Sequence, residues 1–328
     1  MIKALVTGAG GFVGSHLTEA LLRKGMRVCA LVRNPDRLRW LKNIPDVEMR
    51  YGSLEDTASL EAAVQGVDLV FHAAGVVKTR QEDTYFRVNA QGTENLLNAV
   101  EKNAPGIRRF IYISSQAAAG PSRLDRAVRE DELPHPLTPY GRSKLEGERH
   151  VLERKERLPV TLIRPPAVYG PRDSEIFIYF KIAAKGFIPI PGFGERRLSL
   201  VFIDDLVNGI VQASDSKAAL GKIYFIKSGD YGWPELARAL KEAVGRGFPV
   251  RVPAWTMMLA ARASEAFGKY TGQAIALNRH KARELIQRAW LCSGERAEKE
   301  LGFQPQWPLQ KGMAVTAKWY YDAEWLRL

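Results

Sequence analysis

The chain has 328 residues, 46% of them hydrophobic and 26% charged, a composition typical of a globular protein with one large core or two domains that share a cleft. Its two cysteines exclude a disulfide framework, and no cysteine–histidine spacing suggests a metal site. The net charge of +12 favours anionic partners. However, the basic residues are spread along the chain without the basic and aromatic block of a nucleic-acid-binding protein, so we expect neither metal nor nucleic acid to bind.

The N-terminus, MIKALVTGAGG, leads directly into a strand-like run without the regions of a signal peptide, which predicts a cytoplasmic protein. Further apolar runs follow and alternate with helical patterns such as HLTEALLRKG and GTENLLNAVEKN. The strand-like runs are IKALVTG, RVCALVR, VEMRYG, VDLVFHAAG, RRFIYISS and VTLIRPPAVYG. This alternation predicts an α/β fold, a Rossmann-type doubly wound parallel sheet whose strands are buried on both faces.

After Tyr169 the sequence becomes rich in proline, glycine and aromatic residues, and from Trp233 onward it is mostly helical. We therefore expect a dinucleotide-binding domain formed by residues 1–174 and 199–230. A smaller, mostly helical substrate-binding domain would comprise residues 175–198 and 231–328.

No run reaches the roughly 18 uncharged residues that a membrane-spanning helix needs. The apolar stretch 252–268 contains Arg262 and Glu265. Three interpretations of this stretch stay open: a helix packed in the second domain, a wall of an apolar substrate site, or a helix that rests on a membrane surface. Peripheral membrane contact is therefore part of the prediction.

The segment VTGAGGFVGSHL joins the first strand to the first helix, and its Gly8, Gly11 and Gly14 have a Gly-x-x-Gly-x-x-Gly spacing. Glycines at this turn let the backbone approach a pyrophosphate, while the helix directs free N–H groups at the anion. Phe12 and Val13 form the start of that helix. The position of the motif predicts a dinucleotide site.

The end of the second strand reads ALVRNPDR, so Arg33 stands where an NAD-binding protein has an acidic residue. Arg37 adds a second positive charge. An arginine at this place accommodates the 2′-phosphate of NADP, which favours NADP over NAD as the cofactor. The alternative is that Arg33 only ends a solvated strand.

Tyr140 is followed four residues later by Lys144, which places both side chains on one face of a helix. An ammonium about 4 Å from a phenol stabilises the phenolate by about 4 kcal/mol at an intermediate dielectric. The pair is therefore a candidate proton donor at a carbonyl or alcohol oxygen. Ser114 and Ser115, at the end of the fifth strand, are both candidates to hold that oxygen.

These motifs resemble those of the extended short-chain dehydrogenases/reductases, the NAD-dependent epimerase/dehydratase superfamily, over nearly the whole chain. The resemblance is carried by TGAGGFVG, HAAG, VNAQGTENLL, SSQAAAG, YGRSK, RPPAVYGP and VFIDDL. It implies that Tyr140 is the acid–base, that Lys144 assists it and binds the ribose, and that Ser115 holds the oxygen.

The same resemblance implies further cofactor contacts. Ala73 and Ala74 of HAAG would lie on the adenosine and ribose side, and Pro165 and Pro166 would flank the nicotinamide. Asn89 would support the active site or bend its helix. The family usually has an aspartate where this chain has Ser53, so we expect adenine recognition to depend on backbone groups and Leu54.

Two substrate classes compete. Arg197 and Arg283 occupy positions where related nucleotide-sugar epimerases and dehydratases bind a diphosphate, while the C-terminal stretch and Arg33 are more similar to dihydroflavonol reductases and 3β-hydroxysteroid dehydrogenases. We favour an NADP(H)-dependent ketoreductase or alcohol dehydrogenase for an apolar small molecule, with a lipid 3-keto compound as one example. The epimerase is the alternative, and a non-catalytic cofactor sensor is a third reading. Relatives often form homodimers through paired helices, and we expect the same here.

Overall fold

The computed structural model describes residues 1–271 and 279–327. Its strands are β1 (Lys3–Thr7), β2 (Arg27–Val32), β3 (Val47–Tyr51), β4 (Leu69–His72), β5 (Arg109–Ile113), β6 (Val160–Arg164), β7 (Ala167–Tyr169), β8 (Phe187–Pro191), β9 (Arg197–Phe202), β10 (Ile223–Phe225), β11 (Gly229–Gly232), β12 (Phe248–Val252) and β13 (Ala289–Trp290). The largest sheet has seven parallel strands in the order β10-β6-β5-β4-β1-β2-β3. All six strand-like runs of the first half belong to this sheet, which confirms the predicted fold class.

The helices are α1 (Phe12–Arg23), α2 (Thr57–Ala63), α3 (Glu82–Phe86), α4 (Gly92–Asn103), α5 (Gln116–Ala119), α6 (Pro139–Leu152), α7 (Phe177–Ala184), α8 (Ile203–Asp215), α9 (Trp233–Val244), α10 (Ala254–Thr271), α11 (Arg279–Leu285), α12 (Glu295–Leu301) and α13 (Leu309–Asp322). A π-helical segment, Arg87–Gln91, joins α3 to α4 without a break in helical backbone.

Both faces of the large sheet are covered by hydrophobic side chains. Along β1, Ala4 and Val6 belong to the core that contains Leu17 of α1, whereas Leu5 between them belongs to the core on the opposite face. Successive side chains of a strand point to opposite faces, so a continuous apolar run fills two cores at once.

A smaller sheet is built around β9, which pairs with β7, β11 and β13, and β8 pairs with β12 in a separate ribbon. The boundary expected between residues 198 and 199 therefore falls inside β9. The chain leaves the large sheet after β6 and returns to it at β10. Among the described residues, no helix is long and apolar enough to cross a membrane.

Candidate active site

A cavity of about 400 Å³ lies at the carboxyl ends of the central strands, between the large sheet and the C-terminal part of the chain. Ligands of open parallel sheets bind at this edge. Its lining includes these residues that the sequence singled out: Phe12, Val13, Ala73, Ser114, Ser115, Tyr140, Lys144, Pro165, Pro166 and Arg197. Residues that are far apart in sequence thus meet around one space.

The glycine turn has the geometry of an anion cradle. Gly8 has a φ of +71°, and its carbonyl accepts the Gly11 N–H at 2.9 Å. A Cβ on Gly8 would lie 2.7 Å from the Ala74 nitrogen, and one on Gly14 would lie 2.1 Å from the Gly8 oxygen. Helix α1 begins at Gly11 without a side-chain cap, so its first-turn N–H groups are available to a pyrophosphate. The turn fits a dinucleotide.

Arg33, Ser53 and Leu54, which the sequence predicted on the adenosine side, lie at the same sheet edge but are not among the described lining residues of the cavity. Arg33 follows β2 directly and is exposed. Ser53 follows β3, and its N–H donates to the Ser59 hydroxyl at 3.2 Å, while Leu54 is buried. The side chain of Arg37 lies outside the described part of the structure.

Helix α6 carries the tyrosine and the lysine. Its N-cap, Thr138, accepts the Gly141 N–H at 3.2 Å, and Pro139 occupies the first turn. Tyr140 borders the cavity. Lys144 is buried one turn later, where its Nζ donates to the Ile113 carbonyl at 2.8 Å and lies 4.2 Å from the centre of the Tyr112 ring.

Burial raises the pKa of the Tyr140 phenol to about 12, although a hydrogen bond with Ser115 opposes the shift. The spacing of Tyr140 and Lys144 had suggested a lower value, because it placed an ammonium close to the phenol. Burial also lowers the pKa of Lys144 to about 7, opposed by the Glu148 carboxylate. The phenol is therefore protonated at neutral pH.

Ser115 is the N-cap of α5, and its hydroxyl accepts the Ala117 N–H at 3.1 Å. The next residue, Gln116, donates its backbone N–H to the Pro165 carbonyl at 2.8 Å. The Gln116 side chain is buried and lines the cavity, and its amide nitrogen has no partner. The sequence did not single out this donor, because an isolated glutamine has no recognisable pattern.

A buried ion pair lies behind the site. Arg164 donates from Nε and Nη2 to the two Glu148 oxygens at 2.9 and 2.6 Å, and both side chains are almost fully buried. The Ser114 hydroxyl donates to the same carboxylate at 2.5 Å. The pair joins α6 to the ends of β5 and β6, and the Ser114 hydroxyl is engaged by it.

Asn89 lies in the π-helical segment and is buried. Its side-chain oxygen accepts the Val76 N–H at 2.8 Å, and its amide donates to the Val76 carbonyl and the Ser143 hydroxyl, both at 3.0 Å. The side chain therefore joins the loop after β4 to α6. The contacts agree with a supporting role for Asn89, which stays a prediction beside the alternative that it bends its helix.

His72 is fully buried beneath the site between two threonine hydroxyls, 2.7 Å from Thr7 and 2.9 Å from Thr93. Thr93 donates to the Asn89 carbonyl, so it accepts from Nε2 of the ring and leaves Nδ1 to accept from Thr7. Burial and the charge of Lys144 lower the pKa of His72 to about 3. His72 thus packs under the strand end and stays neutral.

The opposite wall of the cavity is largely apolar, and its described side chains include Ile176, Leu198, Trp233, Leu285 and Trp290. Charged pairs also line the cavity: Lys78 with Glu175 at 2.5 Å, and Lys281 with Glu284 at 3.2 Å.

The two predicted diphosphate ligands are placed differently. Arg197 lines the cavity, whereas Arg283 is exposed on α11 and is not among the described lining residues. Within the described residues, no group of histidine, cysteine or acidic side chains could hold a metal ion.

Comparison with known proteins places this arrangement in a family. The sequence model of the NAD dependent epimerase/dehydratase family matches residues 4–226. Ceramide reductase of Caulobacter vibrioides is 29% identical over 324 residues, which cover 98% of this chain and 95% of that protein. UDP-glucose 4-epimerase of Vibrio cholerae is 28% identical over 334 residues, which cover 97% and 95%.

Among solved structures, that of gox2253 superposes with a TM-score of 0.83 at 26% identity and covers 100% of both chains. The parallel sheet, the glycine turn and the sequence match thus indicate the same family. The chain belongs to the NAD-dependent epimerase/dehydratase family, and it is an NAD(P)-dependent enzyme of the extended short-chain dehydrogenase/reductase type.

Proposed function

We propose that the protein is an NADP(H)-dependent ketoreductase or alcohol dehydrogenase whose substrate is largely apolar, such as a 3-keto lipid. The apolar wall of the cavity carries this proposal. Trp233, Leu285 and Trp290 line the same space as Tyr140 and Ser115. A substrate carbonyl held at these two hydroxyl groups would therefore have apolar side chains around the rest of the molecule.

The protonation states support a reductase. The Tyr140 phenol, with its pKa raised to about 12, is protonated at neutral pH and donates its proton to the carbonyl oxygen. Ser115 donates a hydrogen bond to the same oxygen and stabilises the negative charge that develops there. Lys144 lies one turn away on α6, where its ammonium stabilises the phenolate left by proton transfer.

Bound NADPH supplies the hydride for the carbonyl carbon. The glycine turn with Phe12 and Val13 would hold the pyrophosphate, and Pro165 and Pro166 would flank the nicotinamide. The exposed Arg33 at the end of β2 would pair with the 2′-phosphate, as a guanidinium does well. This is our reason for proposing NADP over NAD.

One observation favours a second candidate, a nucleotide-sugar epimerase or dehydratase. Arg197 lines the cavity together with Leu198 and Ser199, and in this candidate function it would pair with the diphosphate. Arg283, the other residue expected for that role, is exposed on α11. A single arginine is a weaker diphosphate site than a pair, and the reductase therefore ranks first.

NADPH oxidation with a panel of ketones tests the choice. We expect turnover with long-chain 3-keto lipids or steroid-like ketones and none with UDP-4-ketosugars. The unfolding temperature should rise when NADPH is added and should not rise further when UDP is added as well. A further shift with UDP that disappears in Arg197→Gln would support the epimerase and overturn the reductase.

The oligomeric state and location belong to the same proposal. We expect a homodimer in the cytoplasm, and light scattering of the purified protein measures the first of these directly.

A further inference from the structure

We infer that an exposed apolar and basic face, built from β8, β12, α10 and the loop after β8, docks on an anionic lipid bilayer. This docking face presents Phe187, Phe193, Phe248, Val250, Trp255 and Leu259 to solvent. Phe193, Phe248 and Trp255 are 69%, 71% and 65% exposed, and Leu259 is 53% exposed. Large apolar side chains that protrude together mark an interaction site, unlike the single exposed apolar residues of an ordinary surface.

Backbone pairing holds these side chains near one another. Phe248 of β12 is the register partner of Phe187 of β8, and Val250 lies two residues further along the same strand. Gly192 donates to the Val252 carbonyl at 2.7 Å, which fixes the loop that carries Phe193 beside the end of β12. The exposed groups therefore form one face.

Helix α10 extends the face. It begins two residues after β12, and Trp255 and Leu259 are one turn apart, so they lie on the same side of the helix. Ala261 on the same helix is fully buried. The helix thus packs on the protein through Ala261 and leaves the side with Trp255 and Leu259 free for the apolar part of a membrane interface.

The charges around the face identify the occupant. The exposed charged residues of these segments are Arg251, Arg262 and Glu195. The adjoining helices α7 and α9, with the residues that follow them, add the exposed cations Lys181, Lys185, Arg238, Lys241 and Arg246 and the exposed acids Glu235 and Glu242. Lys241 Nζ lies 5.2 Å from the centre of the Phe248 ring, so a positive charge lies directly beside an exposed aromatic side chain. A second copy of this face would bring cations against cations, whereas anionic lipid headgroups would neutralise them. The charge pattern thus favours a bilayer.

The docking face is connected to the cavity. Helix α10 packs against α11, and Glu284 and Leu285 of α11 line the cavity. Docking would place that wall near the bilayer, where an apolar substrate is dissolved. The inference itself concerns the surface and does not require the reaction that we propose.

Vesicle flotation tests the docking face. We expect the purified protein to float with phosphatidylcholine vesicles that contain phosphatidylglycerol, and not with phosphatidylcholine alone. Replacing Phe248 and Trp255 together by serine should reduce the bound fraction by at least about tenfold, because each aromatic ring loses its burial in the interface. Arg246→Ser with Arg262→Ser should reduce it by roughly tenfold and weaken the dependence of the remaining binding on salt.

Leu133→Ser is the matched control, since Leu133 is 91% exposed but lies outside this face. It should float like the wild type, and so should Tyr140→Phe, which separates docking from the proposed reaction. All variants must keep the wild-type unfolding temperature. Failure of the wild type to float with anionic vesicles overturns the inference. So does a wild-type dimer that the Phe248 and Trp255 replacements dissociate, because a second copy would then occupy the face.

Discussion

The two walls of the cavity are built on different physical principles. On the wall formed by the large sheet, the site residues are held by buried polar contacts: Glu148 with Arg164, Asn89 with Val76, and Lys144 with Ile113. The opposite wall holds its shape through apolar packing, and its charged groups pair near the solvent, as Lys281 does with Glu284.

The difference has a functional meaning. Hydrogen bonds are directional, and a buried group that loses its partner is costly, so the sheet wall tolerates little change in geometry. Apolar contacts are not directional, so side chains of similar volume replace one another at low cost. We infer that the chemistry is fixed by the first wall, while the second wall sets which substrate enters.

Tyr140→Phe is the most severe test of the sheet wall. It removes one oxygen, and we expect turnover to fall by about 10²–10⁴-fold, since the phenol that would protonate the carbonyl oxygen is lost. The thermal shift with NADPH should stay at the wild-type value.

Tyr85→Phe is the matched control, because the Tyr85 ring lies 6.1 Å from that of Tyr140 and also lines the cavity. It should lower turnover far less. Equal activity of wild type and Tyr140→Phe would remove the phenol from the mechanism.

Glu148→Gln tests whether the sheet wall depends on its buried ion pair. The Arg164 guanidinium would stay buried without a charged partner, and we expect the free energy of unfolding to fall by about 3–5 kcal/mol. Urea denaturation measures this change. Glu153→Gln, on the exposed end of the same helix, should change it by less than about 0.5 kcal/mol. If the two variants are equally stable, the ion pair does not tie this wall together.

His72, which is buried beneath the sheet wall, should make the free energy of unfolding of the protein depend on pH. Its pKa is 6.5 as a free group and about 3 in the fold. Below about pH 6.5 the unfolded chain binds a proton that the folded chain does not, so stability falls as the pH decreases towards 3.

We therefore compare the free energy of unfolding of wild type with that of His72→Gln. The difference between them should be about 2 kcal/mol smaller at about pH 5 than at about pH 7. Comparing the two proteins cancels the opposite effect of Asp173, whose pKa burial raises to about 7. Urea denaturation of both proteins at the two pH values measures this change. A difference between wild type and His72→Gln that is the same at both pH values would contradict the buried neutral histidine.

The smallest expected effect lies at the solvent-exposed end of the cofactor site. Arg33→Ala should weaken NADPH binding by about tenfold and leave NADH binding unchanged, because only NADP(H) has the 2′-phosphate. Titration of intrinsic fluorescence measures both affinities. Arg123→Ala, another exposed arginine, should alter neither. A preference for NADH that is the same with and without Arg33 would exclude its assigned role.

The parts that sequence predicted depend on local pattern. Continuous apolar runs predicted the strands, because both faces of a parallel sheet are buried. The glycine spacing predicted the position of the first turn. The structure brings Ser115, Tyr140 and Lys144 to one cavity, as expected from strand ends that meet at one sheet edge.

What the sequence missed depends on contacts between distant segments. The partner of Glu148 is Arg164, sixteen residues away on a different element, and no spacing reports such a pair. The raised pKa of Tyr140 follows from burial, which a helical spacing does not reveal. The exposure of Arg283 depends on the rotation of α11 about its own axis, which counting residues from a motif does not fix.

The π-helical segment Arg87–Gln91 has a consequence for insertions and deletions. A π-turn contains one residue more than an α-turn, so deletion of a single residue here would leave a regular α-helix with α3 and α4 in their present phase. Each residue of a regular α-helix adds a rotation of about 100°, so the same deletion inside α4 would turn its two parts against each other. Asn89 lies in the surplus turn, and the deletion would disturb its contact with Val76. The segment from α3 to α4 therefore tolerates the loss of one residue in its backbone better than a regular helix does.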